Sequence, residues 1–162
     1  SVGTQLPFDR LTRALDRWCE RNGSAHEVFA QVGRLGAESY RPRNFEFKER
    51  LSHEEYAERV SASQLIVSHA GMGSIISAMT FEKPIIIMPR RAEFGEHRNE
   101  HQLATVQRFR DRAGIFIADD EQELASKLDF FVFSGRSLPA GAISSYANQD
   151  LIDALRAFIL KE

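Results

Sequence analysis

The sequence predicts an α/β domain built on a doubly wound, mostly parallel sheet with helices on both faces. Three observations carry that expectation. Two runs, Leu65-Ile66-Val67 and Ile85-Ile86-Ile87-Met88, are apolar at successive rather than alternate positions. Strands read this way when both faces of their sheet are covered. Strand-like and helix-like segments alternate along the chain, a pattern that right-handed crossovers turn into a parallel sheet. A small-residue turn, Ser68-His69-Ala70-Gly71-Met72-Gly73-Ser74, links the first run to a helical segment. Gln64 to Pro89 is therefore one strand–turn–helix–strand unit.

The other elements follow in chain order. Ser1-Val2-Gly3-Thr4 reads as the end of a strand and a glycine turn, with the strand body missing. A helix starts near Pro7, with Phe8, Leu11, Leu15, Trp18 and Cys19 at helical spacing, and Asn22-Gly23 ends it. Cys19 thus reads as a small buried hydrophobe. His26 to Val32 reads as a strand and Gly33 to Asn44 as a loop broken by Pro42. Phe45-Glu46-Phe47 alternates as a short strand, and Ser52-His53-Glu54-Glu55 has the form of a capping box whose helix stops near Ser63. Beyond the central unit, Arg90 to Glu96 is a polar loop and Asn99 to Arg112 a helix with Leu103, Val106 and Phe109 on one side. Gly114 closes it before the strand Ile115-Phe116-Ile117. Asp120 and Glu123 cap a helix bearing Leu124, Leu128 and Phe131. A loop over Ser134 to Tyr146 leads to an amphipathic helix from Gln149 to Leu160.

The chain has 162 residues, read as a single domain over 1–162 with its first strand truncated; 43% of residues are hydrophobic and 27% charged. That is ordinary for a soluble globular domain. A net charge of -2 argues against a nucleic-acid partner, whose binders carry a basic excess. A single cysteine excludes an internal disulfide and fits a reducing compartment. No run approaches the roughly 20 apolar residues that span a bilayer, so the expectation is cytoplasmic.

The central turn carries the chemistry. Glycines between a strand end and a helix N-terminus leave backbone N–H groups pointing outward, and with the helix dipole behind them they attract phosphate. Gly71-Met72-Gly73 is only a partial dinucleotide fingerprint, because Ile76 stands where the third glycine belongs, so NAD is disfavoured. Alone it would be a tight structural turn. Together with His69, Ser74 and the second glycine turn at Gly3-Thr4, it suits a diphosphate. Arg90, Arg91 and Arg98 flank the loop beyond the second strand and could face an anionic ligand such as a sugar carboxylate. His97-Arg98-Asn99-Glu100-His101 matches H-x-x-E-H, an inverted zinc-peptidase signature, and leaves a zinc hydrolase as an alternative. A non-catalytic nucleotide-binding scaffold is the other.

VGTQLPFDRL at the start, SHAGMGSIISAM in the centre, KPIIIMPR, and Glu100-His101-Gln102 resemble family 28 glycosyltransferases of the GT-B fold, over most of the chain to about Phe116. The likeness is to the C-terminal, donor-binding half, and in particular to two-part enzymes whose donor-binding half is a separate small protein. Examples are the bacterial exopolysaccharide glucuronosyltransferase pair and the eukaryotic dolichol-pathway UDP-GlcNAc transferase subunit. The resemblance implies a Rossmann-like half of a GT-B fold and a UDP-sugar as donor substrate, with no cofactor and no metal. It puts Gly3 and Thr4 beside the diphosphate, and Phe47 and Lys48 where backbone contacts uracil. His69, Gly71, Met72, Gly73 and Ser74 would hold the phosphates, with His69 stabilising the leaving group. His101 and Gln102 would bind sugar hydroxyls, near Arg98. Ser77 stands where many relatives place a carboxylate on the ribose; a serine makes one such hydrogen bond, not a bidentate grip. The implied partner is a membrane-anchored, acceptor-binding subunit that supplies the catalytic base and presents a lipid-linked acceptor. This chain would then lie peripherally at the inner membrane face.

Overall fold

The structure, a computed structural model, describes residues 1–3, 6–23 and 26–133. Two parallel ladders form the sheet. In the first, β1 (Phe29–Gln31) pairs with β2 (Glu46–Lys48). In the second, β3 (Ile66–His69) and β5 (Ile115–Ile117) flank β4 (Ile85–Met88). Ser1 and Val2 lie between the ladders and join them. Ser1 N–H donates to the Val67 carbonyl, and Ser1 O accepts from His69 N. Val2 N donates to Gln31 O on the other side. These three bonds link residues 1–2 to β3 on one side and to β1 on the other. The strands are shorter than the apolar patterns suggest: β1 holds three residues where His26 to Val32 reads as a strand.

Among the described residues five α-helices complete the alternation: α1 (Asp9–Asn22), α2 (His53–Ala62), α3 (Met72–Thr80), α4 (His101–Phe109) and α5 (Glu121–Phe133). The four β4 side chains are all buried, and successive residues serve opposite faces. Ile85 and Ile87 join a core with Val60, Ile75, Ala78, Met79 and Val106, beneath α2, α3 and α4. Ile86 and Met88 join another with Phe8, Leu11, Trp18, Leu124 and Leu128, beneath α1 and α5. An unbroken apolar run is thus what a strand covered on both sides requires, and the doubly wound α/β fold is the one observed.

Local chemistry sets the boundaries. Ser52 Oγ accepts from Glu55 N and Glu55 Oε2 accepts from Ser52 N, closing the capping box at α2. Asp120 Oδ1 accepts from the Gln122 and Glu123 amides at the start of α5. α1 ends at Gly23 with φ +65°. The loop after β1 is held by Asp16, which accepts from Tyr40 Oη at 2.6 Å, Asn44 N at 2.8 Å and Arg43 N at 3.0 Å. One helix begins later than its sequence suggests: α4 starts at His101 rather than Asn99. Residues 97–100 bend instead, with Glu100 Oε1 accepting from Ala92 N and Asn99 Oδ1 from His101 N. The expected loop and helix between Ser134 and Leu160 lie outside the described residues.

Candidate functional site

β3 and β4 run parallel, so their carboxyl ends and the loops beyond them share one sheet edge. At that edge β3 ends in His69, and α3 begins three residues later. Gly71 is the N-cap residue, extended at φ −95°, and offers no side chain to cap the helix. Ile75 N is the first α3 amide bonded back to it, at 3.2 Å to Gly71 O. Among the described residues, no acceptor reaches the amides of Met72, Gly73 or Ser74. These three N–H groups are the unsatisfied donors of the first turn, with the helix dipole behind them.

The glycines are not equivalent. A Cβ on Gly71 would lie 2.2 Å from His69 Nε2, and one on Gly3 would lie 2.8 Å from His69 Cε1. The imidazole is therefore wedged between the two glycine turns. A Cβ on Gly73 would meet nothing within 4 Å. Gly71 and Gly3 are small because His69 fills the space beside them. Gly73 instead borders open space on its Cβ side. Burial, reinforced by the Arg90 guanidinium, lowers the His69 pKa from 6.5 to about 4, so the ring is neutral near pH 7.

Arg90, read from sequence as a ligand-facing cation, turns inward. It is 3% exposed and lies 4.7 Å from the Phe8 ring centroid. Its Nη2 donates to Val2 O and Leu6 O at 2.9 and 2.6 Å. Its Nη1 donates to Pro7 O at 2.7 Å and Glu96 O at 3.3 Å. A buried guanidinium needs its donors satisfied, and four carbonyls do that. Arg91 is occupied as well, with Nη1 on Glu93 and Nη2 on Asp119 O. Arg98 is exposed.

The model of the glycosyltransferase family 28 C-terminal domain matches residues 2–138. The chain belongs to that family. A relative in Bacteroides thetaiotaomicron is 32% identical over 69 residues, covering 43% of this chain. It is described as a UDP-N-acetylglucosamine--N-acetylmuramyl-(pentapeptide) pyrophosphoryl-undecaprenol N-acetylglucosamine transferase. The match spans 18% of that relative's length.

In this family 28 domain, the structure gathers Gly3, His69, Gly71, Met72, Gly73 and Ser74 at one edge. Ser77 lies four residues beyond Gly73, on the same face of α3, and is half-buried. Gln102 joins the group through Arg90, since its Oε1 accepts from Arg90 N at 3.0 Å, which leaves its amide nitrogen as the free end. His101 is exposed at the first turn of α4. Phe47 and Lys48 end the outer strand β2. There Lys48 O accepts from Val32 N, and Lys48 Nζ pairs with Glu55 at 2.6 Å. Thr4 lies outside the described residues.

The zinc reading does not survive the geometry. It needs His97 and His101 one turn apart on a helix, and α4 starts only at His101. His97 sits in the preceding bend, its Nδ1 3.1 Å from Asn99 O, and Glu100 is turned to Ala92 N. Among the described residues no three His, Cys, Asp or Glu side chains converge as a metal site. Sequence reading missed Gln31, a buried glutamine that donates to Gly3 O at 3.2 Å and accepts from Leu51 N at 3.2 Å, tying the first glycine turn to the segment after β2. Its one signal is a polar residue inside an apolar strand.

Proposed function

We propose that this domain binds the diphosphate of a UDP-sugar and is the donor half of an inverting glycosyltransferase. The observation that supports this most is the uncapped start of α3, where the Met72, Gly73 and Ser74 amides have no acceptor among the described residues and a Cβ on Gly73 would enter open space. In an inverting transfer an acceptor hydroxyl attacks the anomeric carbon while the bond to the diphosphate oxygen breaks. Negative charge grows on the departing UDP, where preorganised amides and a helix N-terminus stabilise it. His69, being neutral, contributes by packing and as a hydrogen-bonding ring rather than as a cation. Deprotonating the acceptor falls to a base on the other half of the enzyme.

In this reading that other half is a separate, membrane-anchored subunit presenting a lipid-linked saccharide, and this chain sits at the cytoplasmic membrane face through it. Among the described residues no helix is long and apolar enough to cross a membrane, so contact through a partner is compatible with the chain. The donor sugar is glucuronate or N-acetylglucosamine. The available guanidinium of Arg98 near His101 and Gln102 favours a carboxylate. Calorimetric titration with UDP, UDP-glucuronate, UDP-N-acetylglucosamine and NAD tests the proposal. Heat with the UDP compounds and none with NAD is expected; no heat with any UDP compound, alone or with the partner, contradicts it. Transfer by a reconstituted pair that survives a bulky residue at position 73 would make the domain a scaffold.

A further inference from the structure

We infer that Arg90 is a positioning residue that clamps two ligand-edge loops into one preformed unit. The inference rests on the donor-site reading above. Its guanidinium bonds Val2 O on one side of the first glycine turn and Leu6 O and Pro7 O on the other. One side chain thereby ties Val2 to Leu6 and Pro7. The same group donates to Glu96 O, and its own backbone N–H holds Gln102 Oε1. Glu96 is fixed in turn: Arg10 grips its carboxylate in a fork at 2.8 and 2.9 Å, and Arg91 N donates to it at 2.9 Å. Arg10 also donates to Pro89 O at 2.8 Å.

The loop facing the diphosphate and the loop facing the sugar are thus joined through a buried, planar fork. A lysine cannot reproduce this, since a single ammonium cannot span four carbonyls in two loops. The first glycine turn also packs on His69, so its placement affects the phosphate turn. Preformed loops lower the ordering cost of binding, and loops released from the clamp must be ordered by the ligand instead.

The test compares wild type with Arg90→Lys, and uses Val60→Ala, in the α2 core away from the edge, as a control for general loss of stability. Two measurements are made: affinity for UDP by calorimetry, and amide hydrogen exchange by NMR. In Arg90→Lys, UDP binding is expected to weaken tenfold or more. The Leu6 and Phe8 amides and those across 91–102 should exchange at least tenfold faster together, with β3 and β4 unchanged. Val60→Ala should keep UDP affinity within about twofold. Wild-type UDP affinity in Arg90→Lys overturns the inference, as does equal weakening in Val60→Ala or loosening of only one loop. If wild type binds no UDP compound, alone or with the partner, the donor reading fails, and the exchange data still decide whether Arg90 couples the loops.

Discussion

Gly71 and Gly73 are two residues apart in one turn, yet their replacement by alanine should have opposite effects. At Gly71 the new methyl would lie 2.2 Å from His69 Nε2, well inside contact distance. The ring is wedged against Gly3 on its other side and cannot retreat freely. Overpacking of this kind costs about 1–3 kcal/mol of stability. At Gly73 the methyl meets nothing within 4 Å, and the position is helical with no positive φ. There alanine should leave stability unchanged or raise it by up to about 1 kcal/mol, through the entropy glycine loses on folding. Helical Cα–Cβ bonds tilt toward the N-terminus, so that methyl points to where the diphosphate would sit. Displacing one charge-assisted hydrogen bond costs roughly 1.5–3 kcal/mol, or about ten- to a hundredfold in Kd. Urea unfolding and UDP titration on both variants separate the two effects. Gly73→Ala binding UDP as tightly as wild type would refute the reasoning, as would Gly73→Ala losing stability in proportion to binding.

Other expectations follow from individual residues. Glu82 holds φ 50° after α3, where Glu82 N and Lys83 N bond back to Met79 O and Ala78 O, and it is exposed. Glu82→Gly should therefore stabilise by about 0.5–1 kcal/mol in urea unfolding, and a loss would count against the left-handed assignment. Because His69 titrates near 4 folded against 6.5 ordinarily, the unfolded chain binds the extra proton between those values. Its contribution is complete above about pH 6.5 and is lost as pH falls toward 4, at most roughly 3 kcal/mol. His69→Gln should flatten the stability–pH curve in that window, and an unchanged slope would contradict the buried neutral ring. Arg98→Gln should weaken UDP-glucuronate binding more than UDP-N-acetylglucosamine binding; equal loss for both would remove the argument for a carboxylate donor.

The sequence disclosed the fold through features that are local. Covered strands, a capping box at Ser52 and a left-handed glycine at position 23 each need only a few neighbouring residues, and the structure shows each of them. The turn from β3 into α3 was legible for the same reason, since glycine spacing next to a strand end is a local pattern. Arg90 was misread because its partners, Val2, Leu6 and Pro7, lie more than 80 residues away. Only packing tells a guanidinium facing solvent from one facing four carbonyls. Gln31 was missed likewise, since its partners at Gly3 and Leu51 come from different loops. The H-x-x-E-H pattern misled in the other direction: its spacing has metal-site meaning only on a continuous helix, and residues 97–100 bend to let Glu100 reach Ala92 N.

A crystal structure grown with UDP shows whether the first turn of α3 holds the diphosphate. Diphosphate oxygens are expected within about 3 Å of the Met72, Gly73 and Ser74 nitrogens, with His69 still wedged between Gly3 and Gly71. UDP bound elsewhere, or that space closed by a side chain of the protein, would contradict it.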